Sequence, residues 1–129
     1  MKLQEMFSKN SAQLYALMRI VVGILFFSHG YQKVTAMMNG SMPTGDVLLL
    51  LAAIIEFAGG LMIITGYRTF WAAFIASGEM AVAYFKVHQP GSLWPIDNGG
   101  EKAVFYCFVF LFIAAYGAGI WSLDSKMKK

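Results

Sequence analysis

Cysteine and charge are what this 129-residue chain has least of. It has one cysteine, and Asp, Glu, Lys and Arg make up 13% of its residues. A single thiol, Cys107, excludes an intrachain disulfide and a CxxC redox pair. It lies in a hydrophobic run and reads as a buried, inert side chain. Soluble domains are about a quarter charged, and a water-soluble bundle needs polar stripes that these segments lack. There is no glycine-rich phosphate loop, nucleophile elbow or catalytic triad. The absence of a βαβ pattern removes a Rossmann-type cofactor site. No basic stripe is interleaved with base-stacking aromatics, which argues against a nucleic-acid partner. The first apolar segment is too long for a cleaved signal peptide, and Arg19 sits within it.

What is present is hydrophobic residues, 58% of the chain. At about 20 residues per span, the length holds about four transmembrane helices in one domain, residues 1–129. The predicted fold is all-α: a polytopic membrane protein built as a four-transmembrane-helix bundle. The helices are predicted at about 12–35, 47–65, 70–87 and 101–120, after a short interfacial helix within residues 1–11. Asn10 or Ser11 is a candidate cap for the first span and Asp46 for the second; Asp97 or Asn98 is the candidate for the fourth. Gly66 should end the second span, before a tight turn at Tyr67, Arg68 and Thr69. In this arrangement Lys2, Lys9, Arg68, Lys126, Lys128 and Lys129 share one side and Lys33, Lys86 and Lys102 the other. An excess of Lys and Arg marks the cytoplasmic side, so both termini are predicted there. Tyr15, Tyr67, Trp71, Tyr116 and Trp121 would form an inner aromatic belt, and Tyr31, Tyr84, Trp94 and Tyr106 an outer one.

The second predicted span carries a lone carboxylate, Glu56, in AAIIEFAGGLMIITG (Ala52 to Gly66). The third carries Glu79 on a stripe with Ala72, Ala76 and Ala83. The first carries Arg19, Gly23, Phe26, Gly30 and Lys33 on one face, at helical spacing. Ionisable groups at membrane depth are costly, so by default they face a bundle interior or cavity and mark function. Counting 1.5 Å per residue, both carboxylates lie near the midplane, with Arg19 within roughly 6–9 Å of that depth. Arg19, Glu56 and Glu79 are therefore the candidate catalytic group, with Arg19 expected to hold the charge of the acids. The plainer alternative is a buried ion pair that fixes helix register. Two carboxylates and one guanidinium leave one negative charge in excess. A spare proton or a cation would balance it, and that suits proton movement or quinone chemistry.

His29, Lys33 and Glu101, with His88, are predicted towards the outer half and are candidates for substrate binding. Lys33 lies near the helix end, where it could also snorkel. Two histidines could ligate haem, but no HxxxH motif or cysteine partner accompanies them. Met37, Met38 and Met42 could bind Cu(I), although methionines more often serve as flexible packing residues. No metal site is assigned, and neither haem nor copper is expected. Gly23, Gly30, Gly59, Gly60 and Gly66 are candidate structural positions where helices come close.

Four stretches resemble the DoxX family of small bacterial membrane proteins: RIVVGILFFSHGYQKV (Arg19 to Val34), IEFAGGLMIITGYRT (Ile55 to Thr69), NGGEKAVFY (Asn98 to Tyr106) and GAGIWSLD (Gly117 to Asp124). Arg19, Gly30, Lys33, Glu56, Gly60, Gly66, Glu101, Ser122 and Asp124 match the family pattern; Glu79 is included on physical grounds. The resemblance implies a four-helix protein of the bacterial inner membrane with a redox role at the quinone pool. It implies a quinone or quinol as ligand, and a protein partner or homo-oligomer in the lipid bilayer. Two other readings stand beside it: a non-catalytic scaffold or assembly factor for a partner complex, and a small transporter or binder of a lipophilic solute.

Overall fold

The structure is a computed structural model that describes residues 2–128. Among these residues every regular element is a helix. α1 (Lys2–Lys9) is a short amphipathic helix, and α2 (Ser11–Met38) is the longest rod. α3 (Val47–Ile54) runs through a π-turn at Ile55–Gly59 into α4 (Gly60–Thr65). α5 (Thr69–Ala83) continues into a second π-turn at Tyr84–His88. A short α6 (Pro95–Asn98) precedes α7 (Glu101–Tyr116), and α8 (Leu123–Met127) closes the chain. Two stretches, Ser11–Met38 and Val47–Thr65, are long and apolar enough to cross a membrane.

Local chemistry explains the boundaries. Asp46 caps α3 by accepting from Leu48 N and Leu49 N at 3.1 and 3.3 Å, which satisfies two amides the helix cannot. Gly66 ends α4 in the left-handed region, φ 67°, where a side chain would be strained. Asn10 stands at the expected cap position of α2, whereas neither Asp97 nor Asn98 stands at that of α7. Asn10 makes no side-chain cap and instead donates to Met6 O at 2.8 Å. Gly100 occupies the cap position of α7, while Asn98 Oδ1 receives Gly100 N at 2.8 Å. α7 also stops at Tyr116, four residues short of the predicted Ile120. Gly117 and Gly119 take φ of 98° and 72° and turn the chain out of the helix.

The helices pack on small residues. α5 lies along α7 and α2 along α4. Ala72, Ala73 and Ala76 of α5 are buried with Ala103, Phe110 and Ile113 of α7. Phe26 of α2 meets Phe110 edge-on at 4.6 Å between ring centres, a favourable aromatic geometry. The exterior is strongly apolar: Leu51, Phe74, Phe105 and Phe108 are all about half exposed or more. Patches this extensive are rare on soluble monomers and suit a lipid surround.

The chain end is stapled back onto the α4–α5 turn. Asp124 N donates to Gly66 O at 2.8 Å. The Asp124 carboxylate receives Arg68 N at 2.8 Å and Thr69 N at 2.9 Å, so it caps α5 from far along the sequence. Burial pushes this carboxyl up, but the hydrogen bonds from Thr69 and Arg68, with Arg19 nearby, outweigh it and hold the group below its ordinary value. A lowered folded-state pKa adds stability above the unfolded value, near pH 4, and that stability is lost as pH falls through the folded value. Asp124→Ala should therefore cost about 1 kcal/mol at neutral pH, as loss of a cap does. The gap in melting temperature between variant and wild type should close in acid. A gap that persists in acid would show that the carboxylate charge is not what caps α5.

Candidate functional site

The site begins with a glycine. Gly30 of α2 lies directly on the backbone of the π-turn, where a Cβ would sit 2.6 Å from Glu56 C and 2.7 Å from Phe57 Cα. Only a residue without a side chain allows that approach. Three residues on, one turn further along α2, Lys33 Nζ reaches Glu56 Oε2 at 2.6 Å. The Glu56 side chain is 4% exposed and that of Lys33 24%, so the carboxylate is buried and the ammonium keeps partial access. A charge removed from solvent is tolerable when it is paired at hydrogen-bond distance. Gly23 and Gly60 make similar close approaches, to Ile64 and to the Phe27 backbone, and hold α2 against α4 about two turns and one turn before Gly30.

The π-turn widens the helix at the glutamate. Its extra residue breaks the regular register at Ile55–Gly59, and such bulges recur at functional positions. α3 touches α5 little, whereas α5 meets the π-turn and α4. The two rods therefore part on the α3 side and leave a cleft of about 440 Å³. Lys33, Glu56 and Glu79 line it together with Leu49, Ala52 and Ile75. Its size falls in the range of small-molecule pockets, about 300–1,000 Å³. Exposed Leu51, Ile75 and Val82 lie along its walls, so it opens on the apolar surface.

Glu79 contributes the group without a counterpart. Its Oε1 is buried and meets no hydrogen-bond partner among the described residues, while Lys33 is engaged by Glu56. A buried carboxyl oxygen with no donor is costly. It is relieved by a proton on the group, or by a donor or cation entering the cleft.

Arg19 is not where the depth count put it. It does not join the two acids. Its guanidinium is fully buried and spends its donors on carbonyls: Nε to Ile63 O at 3.1 Å, Nη1 to Ala118 O and to Ile120 O at 3.1 Å, and Nη2 to Trp121 O at 2.7 Å. A depth count gives only the distance from the helix end, and the partner comes from a chain segment beyond the last long helix. Lys33 takes the place expected for Arg19. The acids and a cation do meet, with Lys33 supplying the positive charge.

The other candidates are dispersed. His29 packs edge-on to Tyr106 with ring centres 6.1 Å apart, and Glu101 is exposed at the start of α7. Neither lines the cleft. His88 Nδ1 lies 3.2 Å from Asn98 O, away from His29. Among the described residues no three His, Cys, Asp or Glu side chains gather as a metal site. Gly59 is buried, but the nearest atom to a Cβ there is Ile55 Cγ2 at 3.9 Å, so no close approach requires glycine. Gly66 sits against Ser122, whose Cα would lie 3.0 Å from an added Cβ. Asp46 and Lys86 also line the cleft. Sequence reading gave neither a part in the site, and the only hint was their distance of two to three helical turns from Glu56 and Glu79.

Comparison with known proteins adds three findings. A family model described as DoxX matches residues 14–89. A Haemophilus influenzae protein described as uncharacterized is 43% identical over 121 residues, covering 88% of this chain and 90% of its own length. Inner membrane protein YqjF of Escherichia coli is 28% identical over 116 residues, covering 86% of this chain and 89% of its own length. No solved structure matches.

Proposed function

The chain belongs to the DoxX family of membrane proteins, and from that premise we propose that it is a multi-pass protein of the bacterial inner membrane that binds a quinone or quinol and handles protons in a redox or respiratory system. In this reading α2, the α3–α4 rod, α5 and α7 cross the bilayer as a four-helix bundle. Both termini are cytoplasmic. The printed name of the Escherichia coli relative supports the compartment, and the positive-inside rule supports the orientation.

The carrying observation is the partnerless Glu79 oxygen in an apolar-walled cleft beside the Lys33–Glu56 pair. The residues present fit an amphipathic ring with polar oxygens and a long tail. Lys33 offers a donor and Glu79 an acceptor, and Leu51, Ile75 and Val82 offer a wall for the tail. A bound quinol would supply two electrons, for an oxidant carried by a protein partner, and two protons, one for Glu79 and one for water at the cleft mouth. Glu79 is the group that holds or releases a proton at the cleft. Lys33 pairs with Glu56, which leaves Glu79 as the acid of the cleft without a counter-ion. This division of labour is how paired carboxyl groups commonly act.

The test is the lipid that travels with the protein. Purified in its native lipids and extracted with organic solvent, wild type should carry quinone or quinol in near-stoichiometric amount. Ala52→Trp, which fills the cleft, and Glu79→Gln, which removes the charged acceptor, should each lower that content about tenfold, the size of a lost charged hydrogen bond. Equal content in all three would reject the reading.

A further inference from the structure

The cleft has a chemical preference that does not depend on quinone. It combines apolar walls open to the exterior with an acid whose Oε1 is buried and whose partly exposed neighbour, Lys33, is already committed to Glu56. Four other charged groups line the cleft with Glu79, the last two at its exposed end. These are Glu56 on the π-turn, Lys33 on α2, Asp46 at the start of α3 and Lys86 on the second π-turn. Tyr106 of α7 stands beyond them, against Phe26. Three acids and two bases leave the cleft one negative charge in excess.

We propose that this cleft is a binding site for lipophilic cations, taken up in exchange for a proton on Glu79. The occupant is a delocalised or substituted onium ion with apolar groups. A small hydrated cation would forfeit its water against Leu49, Ile75 and Val82, whereas an onium ion has little hydration to lose. A neutral lipid tail fills the same walls but leaves the Glu79 oxygen unpartnered. A lipophilic anion meets the same walls with the wrong sign. Because the site holds one excess negative charge, a proton and a lipophilic cation compete for it, and each displaces the other.

Tetraphenylphosphonium and tetraphenylborate are nearly the same size and opposite in charge, so they separate charge from greasiness. Equilibrium dialysis on the full chain in detergent micelles should show saturable binding of the phosphonium only. Its affinity should fall about tenfold for each pH unit below the Glu79 midpoint, as one-proton competition requires. Glu79→Gln should bind at least about tenfold more weakly and lose the pH dependence. That loss could also come from a misfolded variant, so the decisive arm is a gain. Lys33→Met removes the cation that neutralises Glu56 and should tighten phosphonium binding about tenfold. Misfolding cannot produce tighter, saturable binding. Three results would overturn the proposal: equal binding of the borate, pH-independent binding, or no change in Lys33→Met. None of them bears on quinone content. Conversely, a chain without quinone that still shows the phosphonium pattern would sink only the quinone reading.

Discussion

Replacing Arg19 with leucine should be among the most destabilising single changes in this chain, and it should act far from the cleft. The guanidinium donates to four carbonyls: Ile63 at the end of α4, and Ala118, Ile120 and Trp121 in the segment after α7. Those last three lie where the chain takes left-handed conformations at Gly117, Gly119 and Trp121. Without regular structure they have no helical partners of their own. Tyr15 adds one donor, to Gly117 O at 2.6 Å. Leucine would leave buried acceptors without donors, each costing about 1–3 kcal/mol, and the costs overlap. A total of about 3–5 kcal/mol is expected, the range seen when one side of a buried charged network is removed. Melting in detergent should drop by about 10–20 °C, and the tail beyond Gly117 should become sensitive to trypsin. Lysine should restore little, because a point ammonium cannot serve four carbonyls spread around a planar fork. A leucine variant that melts like wild type, with its tail protected, would show that Arg19 is not the clamp described. The cleft at Glu79 should survive in whatever fraction stays folded.

The placement of Arg19 also marks what the sequence could and could not disclose. Composition and the apolar runs were enough to read helices, because burying backbone in lipid leaves few alternatives. The acids at positions 56 and 79 stood out for the same reason: a charge in an apolar run is conspicuous. Pairing was harder. Arg19 and Lys33 share one face of α2, four helical turns apart, and only Arg19 was expected at Glu56. Which one reaches it depends on where α2 crosses the next rod. That crossing is set by Gly30 against Phe57 and Gly60 against Phe27, contacts between segments that no spacing rule supplies. The π-turn at Ile55–Gly59 was invisible for a related reason. Its residues are ordinary helix formers apart from glycine, and the widening is chosen by packing. The end of α7 is legible in its residues. Gly117 and Gly119, two residues apart, are stop signals, and the apolar run to Ile120 concealed them. The loop beyond them, wrapped round an arginine from the first long helix, was not legible, because its carbonyls are held by a side chain about a hundred residues away.

If the glycine contact does set the site, Gly30→Ala should damage both stability and the ion pair, although it adds a single methyl group. The new carbon would fall within 2.7 Å of the Glu56 and Phe57 backbone, and backbone cannot rotate aside as a side chain can. α2 must then move off the π-turn. Overpacking of this kind costs about 1–3 kcal/mol. Because Lys33 lies one turn beyond Gly30, the same displacement pulls its ammonium from Glu56, which it now meets at 2.6 Å. Gly59→Ala is the matched comparison. Gly59 is buried on the same turn, but its added carbon meets nothing closer than Ile55 Cγ2 at 3.9 Å. Removing glycine's unfolded-state freedom there should leave stability unchanged or raise it by about 0.5 kcal/mol. Melting curves of the two variants, read beside phosphonium binding, separate the possibilities. Gly30→Ala should lose both stability and its wild-type binding profile, and Gly59→Ala should keep both. Equal behaviour of the two would mean that small residues on this turn serve helix packing in general, and that the Lys33–Glu56 contact is held by something other than the close crossing at Gly30.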